Sequence, residues 1–138
     1  MADRDLVLAK VDSLERCLAR IAELRSTTGP GRSALDVQDI TVLSLQRAVQ
    51  AMIDLAAHIV ASEGLGTPDS LGASFSLLER ARILDAELAE QMRRMTGFRN
   101  IAVHEYRRLD PAILESIVRE RLGDLRAFAS RILKRLEA

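Results

Sequence analysis

Apolar residues in this chain recur at alternating steps of three and four, and that period leaves little choice of fold. Val7, Val11, Leu14, Leu18 and Ile21 form one such series. Val42, Leu45, Val49, Met52, Ala56 and Ile59 form a second. This spacing gathers the side chains onto one stripe of an α-helix, whereas a strand would scatter them over both faces. Two long helices follow, one from about Asp3 to Arg25 and one capped by Asp36 and running to about Ser62. Composition agrees, because aromatic residues make up only 3% of 138 residues while Ala, Leu, Arg and Glu dominate. A hydrophobic fraction of 48% is enough for a core of its own and argues against a disordered chain.

The remaining segments read as connectors and two more long helices. Thr28-Gly29-Pro30-Gly31 ends the first helix, and Glu63-Gly64-Leu65-Gly66-Thr67-Pro68 is a loop with Gly64 as terminator. A short helix or irregular segment over Ser70 to Leu78 is anchored by Phe75 and Leu78. The next helix runs from about Arg82 through the Arg99 region, with Leu84, Leu88, Met92 and Met95 inward. Gly97 lies inside it, where it costs about 1 kcal/mol relative to Ala, and such a residue often admits a second backbone. The last helix has Asp110 as cap, Pro111 at its first position and Leu109 stapled on Leu114. Val118, Leu125, Phe128 and Ile132 continue its buried face. The expectation is a single all-α domain over 1–138, an up-and-down bundle of four long helices and one short one.

Lone Cys17 forms no internal disulfide, the N-terminal residues lack a secretory pattern, and Leu55–Ala61 is far below a membrane span of roughly 20 residues. A cytoplasmic protein away from membranes is expected. Net charge is zero, yet residues 91–108 hold Arg93, Arg94, Arg99, Arg107 and Arg108 against Glu105 alone. A confined basic patch on a neutral chain suits a local anion site better than a long nucleic-acid track, or else a solvated arginine face.

Familiar catalytic signatures are missing: there is no CxxC, HExxH, phosphate-binding GxxxxGK or dinucleotide turn, and no metal-ligand pattern surrounds His58 or His104. What remains is Gly97-Phe98-Arg99-Asn100-Ile101-Ala102-Val103-His104-Glu105-Tyr106, where polar and apolar residues interleave. On an ideal helix Arg99 and Tyr106 fall within about 20° of one direction, whereas His104 lies about 140° around from Arg99 and roughly 7.5 Å along the axis. Unwinding near His104, or a second copy across a two-fold axis, would bring Arg99 and His104 to one atom. A guanidinium can hold a phosphate through two parallel hydrogen bonds, and an imidazole can move the proton of a 2′-hydroxyl or a 5′-oxygen. That chemistry suits RNA phosphodiester cleavage and needs no metal or cofactor. A helix end with an interfacial Tyr and a buried His is the bland alternative.

This ten-residue segment resembles the Arg-x4-His-x-Tyr motif of HepT-like toxins, bacterial and archaeal members of the HEPN ribonuclease superfamily. The resemblance extends to Leu45–Ile59, similar to that family's second helix, to the Gly64–Pro68 loop and to Phe75. Arg99, Asn100, His104 and Tyr106 match the motif, and Ile101-Ala102 is less polar than in relatives that carry an arginine there. The resemblance implies a HEPN-like bundle acting as a metal-independent endoribonuclease, with both motifs of a homodimer facing one cleft. It implies that Arg99 and His104 are the catalytic pair and that Asn100 supports their geometry. It also implies that Tyr106 receives AMP from an MNT-type nucleotidyltransferase antitoxin using ATP and Mg²⁺. Two other readings stay open: a non-catalytic module that binds and regulates such a nucleotidyltransferase, and a purely structural dimeric bundle.

Other polar residues have plain roles available. His58, on the polar flank of the second helix with Arg47 and Asp54, reads as structural, and Arg47 and Asp54 share a face as interface or solvated residues. Cys17 is a small core filler. Arg93 and Arg94 suit surface salt bridges as well as RNA guidance. Arg107 and Arg108, just past the motif helix, are candidates for RNA phosphate contact or for helix-end charge compensation.

Overall fold

A computed structural model describes residues 2–26 and 33–137. The turn expected at Thr28-Gly29-Pro30-Gly31 lies outside the described residues. The described residues form six α-helices, in order α1 (Arg4–Ser26), α2 (Ala34–Glu63), α3 (Ala73–Arg80), α4 (Ala86–His104), α5 (Pro111–Glu120) and α6 (Leu122–Glu137), and one 3-10 turn at Tyr106–Arg108. Among the described residues there is no strand, and none of these helices is long and apolar enough to cross a membrane.

Each end of α2 is set by local chemistry. Ser33, not Asp36, is the N-cap: its hydroxyl accepts from the Asp36 amide at 3.0 Å, and Asp36 supplies the first-turn negative charge. At the other end Gly64 takes the left-handed conformation (φ 63°), and Leu65 N–H closes on Val60 O at 3.0 Å. Both apolar seams face one core. Val7, Leu14, Leu18 and Ile21 of α1 pack with Val42, Leu45, Val49, Met52, Ala56 and Ile59 of α2, all at most 2% exposed. Phe75 of α3 meets Phe128 of α6 edge to face, ring centroids 5.4 Å apart, which anchors the short helix as its residues predict.

Two expected helices differ in extent. The helix expected from Arg82 begins at Ala86, capped by Asp85, whose carboxylate accepts from the Leu88 amide at 2.8 Å. Arg82 itself closes α3: it sits at φ 61° while Ile83 N–H bonds Leu78 O at 2.9 Å, a place where glycine is usual. The last helix is two. Asp110 and Pro111 start α5 as expected, but Arg121 (φ −117°, ψ −3°) interrupts the ladder before α6. Val118 and Leu125 both remain buried across that break, so the apolar pattern runs through it unaltered. The bundle therefore has three long helices of 19 to 30 residues, and a fourth arm broken into α5 and α6.

Candidate active site

α4 carries the motif as one regular helix from Arg99 to His104, so the chain does not unwind between them. Gly97, Ile101 and His104 share one face, and Arg99 and Val103 lie on another, as about 100° per residue requires. Within one chain the guanidinium and the imidazole consequently point in different directions. The helix stops at His104, where Glu105 turns to φ −140° and its amide closes on Ile101 O at 2.8 Å. Tyr106 then belongs to the 3-10 turn. The expected coincidence of Arg99 and Tyr106 on one helical direction does not hold, because the helix ends before Tyr106.

Arg99 is half-buried. Its Nη1 donates to Asn100 Oδ1 at 3.1 Å, its Nε is buried without a partner, and no carboxylate pairs with it among the described residues. A cation held this way retains capacity for an anion. His104 is exposed at the helix end. A groove of about 630 Å³ opens between α4 and α5, lined among others by Gly97, Phe98, Ile101, Arg108 and Ile113. Ile101 and Ile113 are 43% and 53% exposed there. Gly97 has open space where a Cβ would stand: among the described residues no other element comes within 4 Å of that point, so the close approach such a glycine often admits is not made within the chain.

Tyr106 reaches across to α2. Its hydroxyl donates to Asp39 Oδ1, and Gln38 also engages the hydroxyl. The hydrogen bond to Asp39, aided by burial and by the carboxylate charge, pushes the phenol above its ordinary value. With Asp36 as the expected cap, Asp39 reads as a first-turn acid; the cap at Ser33 puts it in the second turn of α2, and its partner lies 67 positions away, beyond any local pattern.

The other candidates separate cleanly. Arg108 pairs with Glu105 at 3.2 Å while remaining exposed, and Arg107 is exposed beside it. Arg93 is tied to Glu79 and Glu90, and Arg94 to Glu90, so both serve as surface ion pairs. His58 is structural: its Nε2 accepts the Asp3 amide at 2.8 Å, fastening the start of α1 to α2. Asp54 accepts from Lys10 at 2.8 Å and from Gln50 at 2.9 Å. Cys17 packs against the core with its thiol pushed up by burial and held back by Arg47. No group of three or more His, Cys, Asp or Glu side chains among the described residues is placed to hold a metal.

This arrangement has close counterparts. The family model described as Ribonuclease HepT-like matches residues 12–132. The mRNA nuclease HepT of Shewanella oneidensis is 34% identical over 124 residues, 90% of this chain and 93% of that protein. The tRNA nuclease HepT of Aphanizomenon flos-aquae is 38% identical over 79 residues, 57% of this chain and 54% of that protein. Among solved structures, a tri-AMPylated Shewanella oneidensis HEPN toxin in complex with MNT antitoxin superposes with a TM-score of 0.88. It is 32% identical and covers 96% of this chain and 99% of that one. A six-helix bundle with an Arg-x4-His-x-Tyr helix end, matched over nearly its whole length, belongs to the HepT-like ribonuclease family.

Proposed function

We propose that the protein, a single domain over 1–138, is the endoribonuclease toxin of a toxin–antitoxin pair. It works in the cytoplasm as a homodimer with a composite active site. The observation that carries this reading is the unbroken helix from Arg99 to His104, which keeps a carboxylate-free guanidinium and an exposed imidazole on different faces. A second copy packed along the apolar groove would bring the two motifs to one cleft.

In that cleft Arg99, fixed by Asn100, holds the scissile phosphate and stabilises charge on its oxygens. His104 takes the proton of the 2′-hydroxyl as its oxygen attacks phosphorus. The 2′-O–P bond forms and the P–O5′ bond breaks. The 5′-oxygen leaves with a proton returned by imidazolium, giving a 2′,3′-cyclic phosphate and a 5′-hydroxyl. Arg107 and Arg108, exposed beside the motif, would contact flanking RNA phosphates. The side chains supply this chemistry without a metal. Neutralisation comes from an MNT-type nucleotidyltransferase that transfers AMP from ATP, with Mg²⁺, to Tyr106. An anion there, in the basic segment, competes with RNA phosphate.

End-labelled RNA incubated in EDTA with wild type, Arg99→Ala and His104→Ala tests the reading. Cleavage by wild type, ending in a cyclic phosphate and lowered at least 10²-fold in both variants, is expected. No cleavage by folded, unmodified wild type across messenger and transfer RNAs would replace the nuclease with a regulator of the nucleotidyltransferase.

A further inference from the structure

The hydrogen bond from Tyr106 to Asp39 joins the motif turn to the second turn of α2, across 67 residues of chain. Both residues are exposed, so a nucleotide brought by a partner can reach the hydroxyl. No lysine or arginine among the described residues pairs with Asp39, so its carboxylate is committed to the phenol rather than to an ion pair. Gln38 flanks the same hydroxyl. A phenol meant only to pack against RNA needs no carboxylate acceptor. A phenol that must attack phosphorus does, because its proton has to leave as the new bond forms.

We propose that Asp39 aims the Tyr106 oxygen and takes its proton during adenylyl transfer, which makes this chain a contributor to its own neutralisation. The proposal rests on Tyr106 being the acceptor. Tyr106 Oη attacks the α-phosphorus of ATP, the Oη–P bond forms, and the bond from that phosphorus to the bridging oxygen breaks. Pyrophosphate departs with the electron pair, and the phenolic proton passes to Asp39 Oδ1 and on to solvent. Nothing is oxidised or reduced. At neutral pH the phenol is protonated, so phenolate is not supplied beforehand. Its oxygen turns strongly acidic only as the bond to phosphorus develops, and a carboxylate already in place receives the proton then. The product oxygen has no proton to return. Asp39 therefore faces a phosphodiester anion, and the contact that closed the turn on α2 is replaced by repulsion.

The test follows the first adenylyl addition by intact mass, with the cognate MNT-type partner, ATP and Mg²⁺, in single turnover. Asp39→Asn should slow that addition about 10²-fold while still eluting with the partner on gel filtration. Its rate should climb with pH toward the ionisation of the phenol, a dependence that wild type lacks. Asp39→Glu should recover part of the rate. An Asp39→Asn chain modified at the wild-type rate with the wild-type pH dependence would overturn the role of Asp39 and leave Tyr106 as acceptor. Wild-type adduct mapped to another residue, with Tyr106→Phe modified normally, would instead remove the acceptor reading and this proposal with it.

Discussion

Arg99 holds a charge that no carboxylate of the described residues answers, with its Nε buried and only Asn100 against its Nη1. Lysine would keep the charge but lose the planar pair of donors. Arg99→Lys should therefore cut RNA cleavage at least 10²-fold at unchanged melting temperature, as read by end-labelled RNA and circular dichroism. Tyr106 offers a second prediction. It is the single tyrosine of a chain without tryptophan, so absorbance near 295 nm titrates this phenol alone. Its folded value is raised by Asp39, so the link contributes stability below the unfolded tyrosine value near 10 and is lost as pH rises through the folded one. The midpoint should lie above 10 in wild type and fall in Asp39→Asn; equal midpoints would show that the link does not persist in solution. Arg99, His104 and Tyr106 were legible because six or fewer residues separate each from the next. Asp39 was not, since with Asp36 as the expected cap it reads as a first-turn acid, which the helix dipole already explains.

At the scale of elements, caps and breaks decided what the periodicity could not. The seams of α1 and α2 were legible because their apolar side chains lie on one face, all buried except the partly buried Val11. The division of α5 from α6 was not, because Arg121 departs from the helix while Val118 and Leu125 both stay in the core. Likewise Arg82 gave no sign of ending α3, since arginine favours helices and the turn there calls for a left-handed residue. Arg82→Gly should stabilise the fold by about 0.5–1 kcal/mol, the left-handed cost of an L-residue less the entropy of glycine. Thermal unfolding should shift up by roughly 2–4 °C; a lower midpoint would mean that the arginine side chain contributes more than its backbone costs.

For the whole molecule, the groove between α4 and α5 is the surface proposed to receive a second copy. Ile101 and Ile113 stand exposed beside it, and Gly97 sits on the same face of α4 as His104, with no other element of the described residues within 4 Å of where a Cβ would stand. In the isolated chain Gly97→Ala should stabilise α4 by about 1 kcal/mol. If a second copy packs there, the same methyl should weaken the dimer and RNA cleavage with it. Sedimentation across a dilution series reads the two effects separately: a higher melting midpoint with an unchanged dimer would place the interface elsewhere. The vacancy beside Gly97 also bears on mutational tolerance. No other element of the described chain meets a Cβ at that position, so small helix-compatible substitutions that a toxicity selection rejects there outline a neighbour that is not part of the chain. A library at position 97 would thus draw the footprint of the missing surface, side chain by side chain.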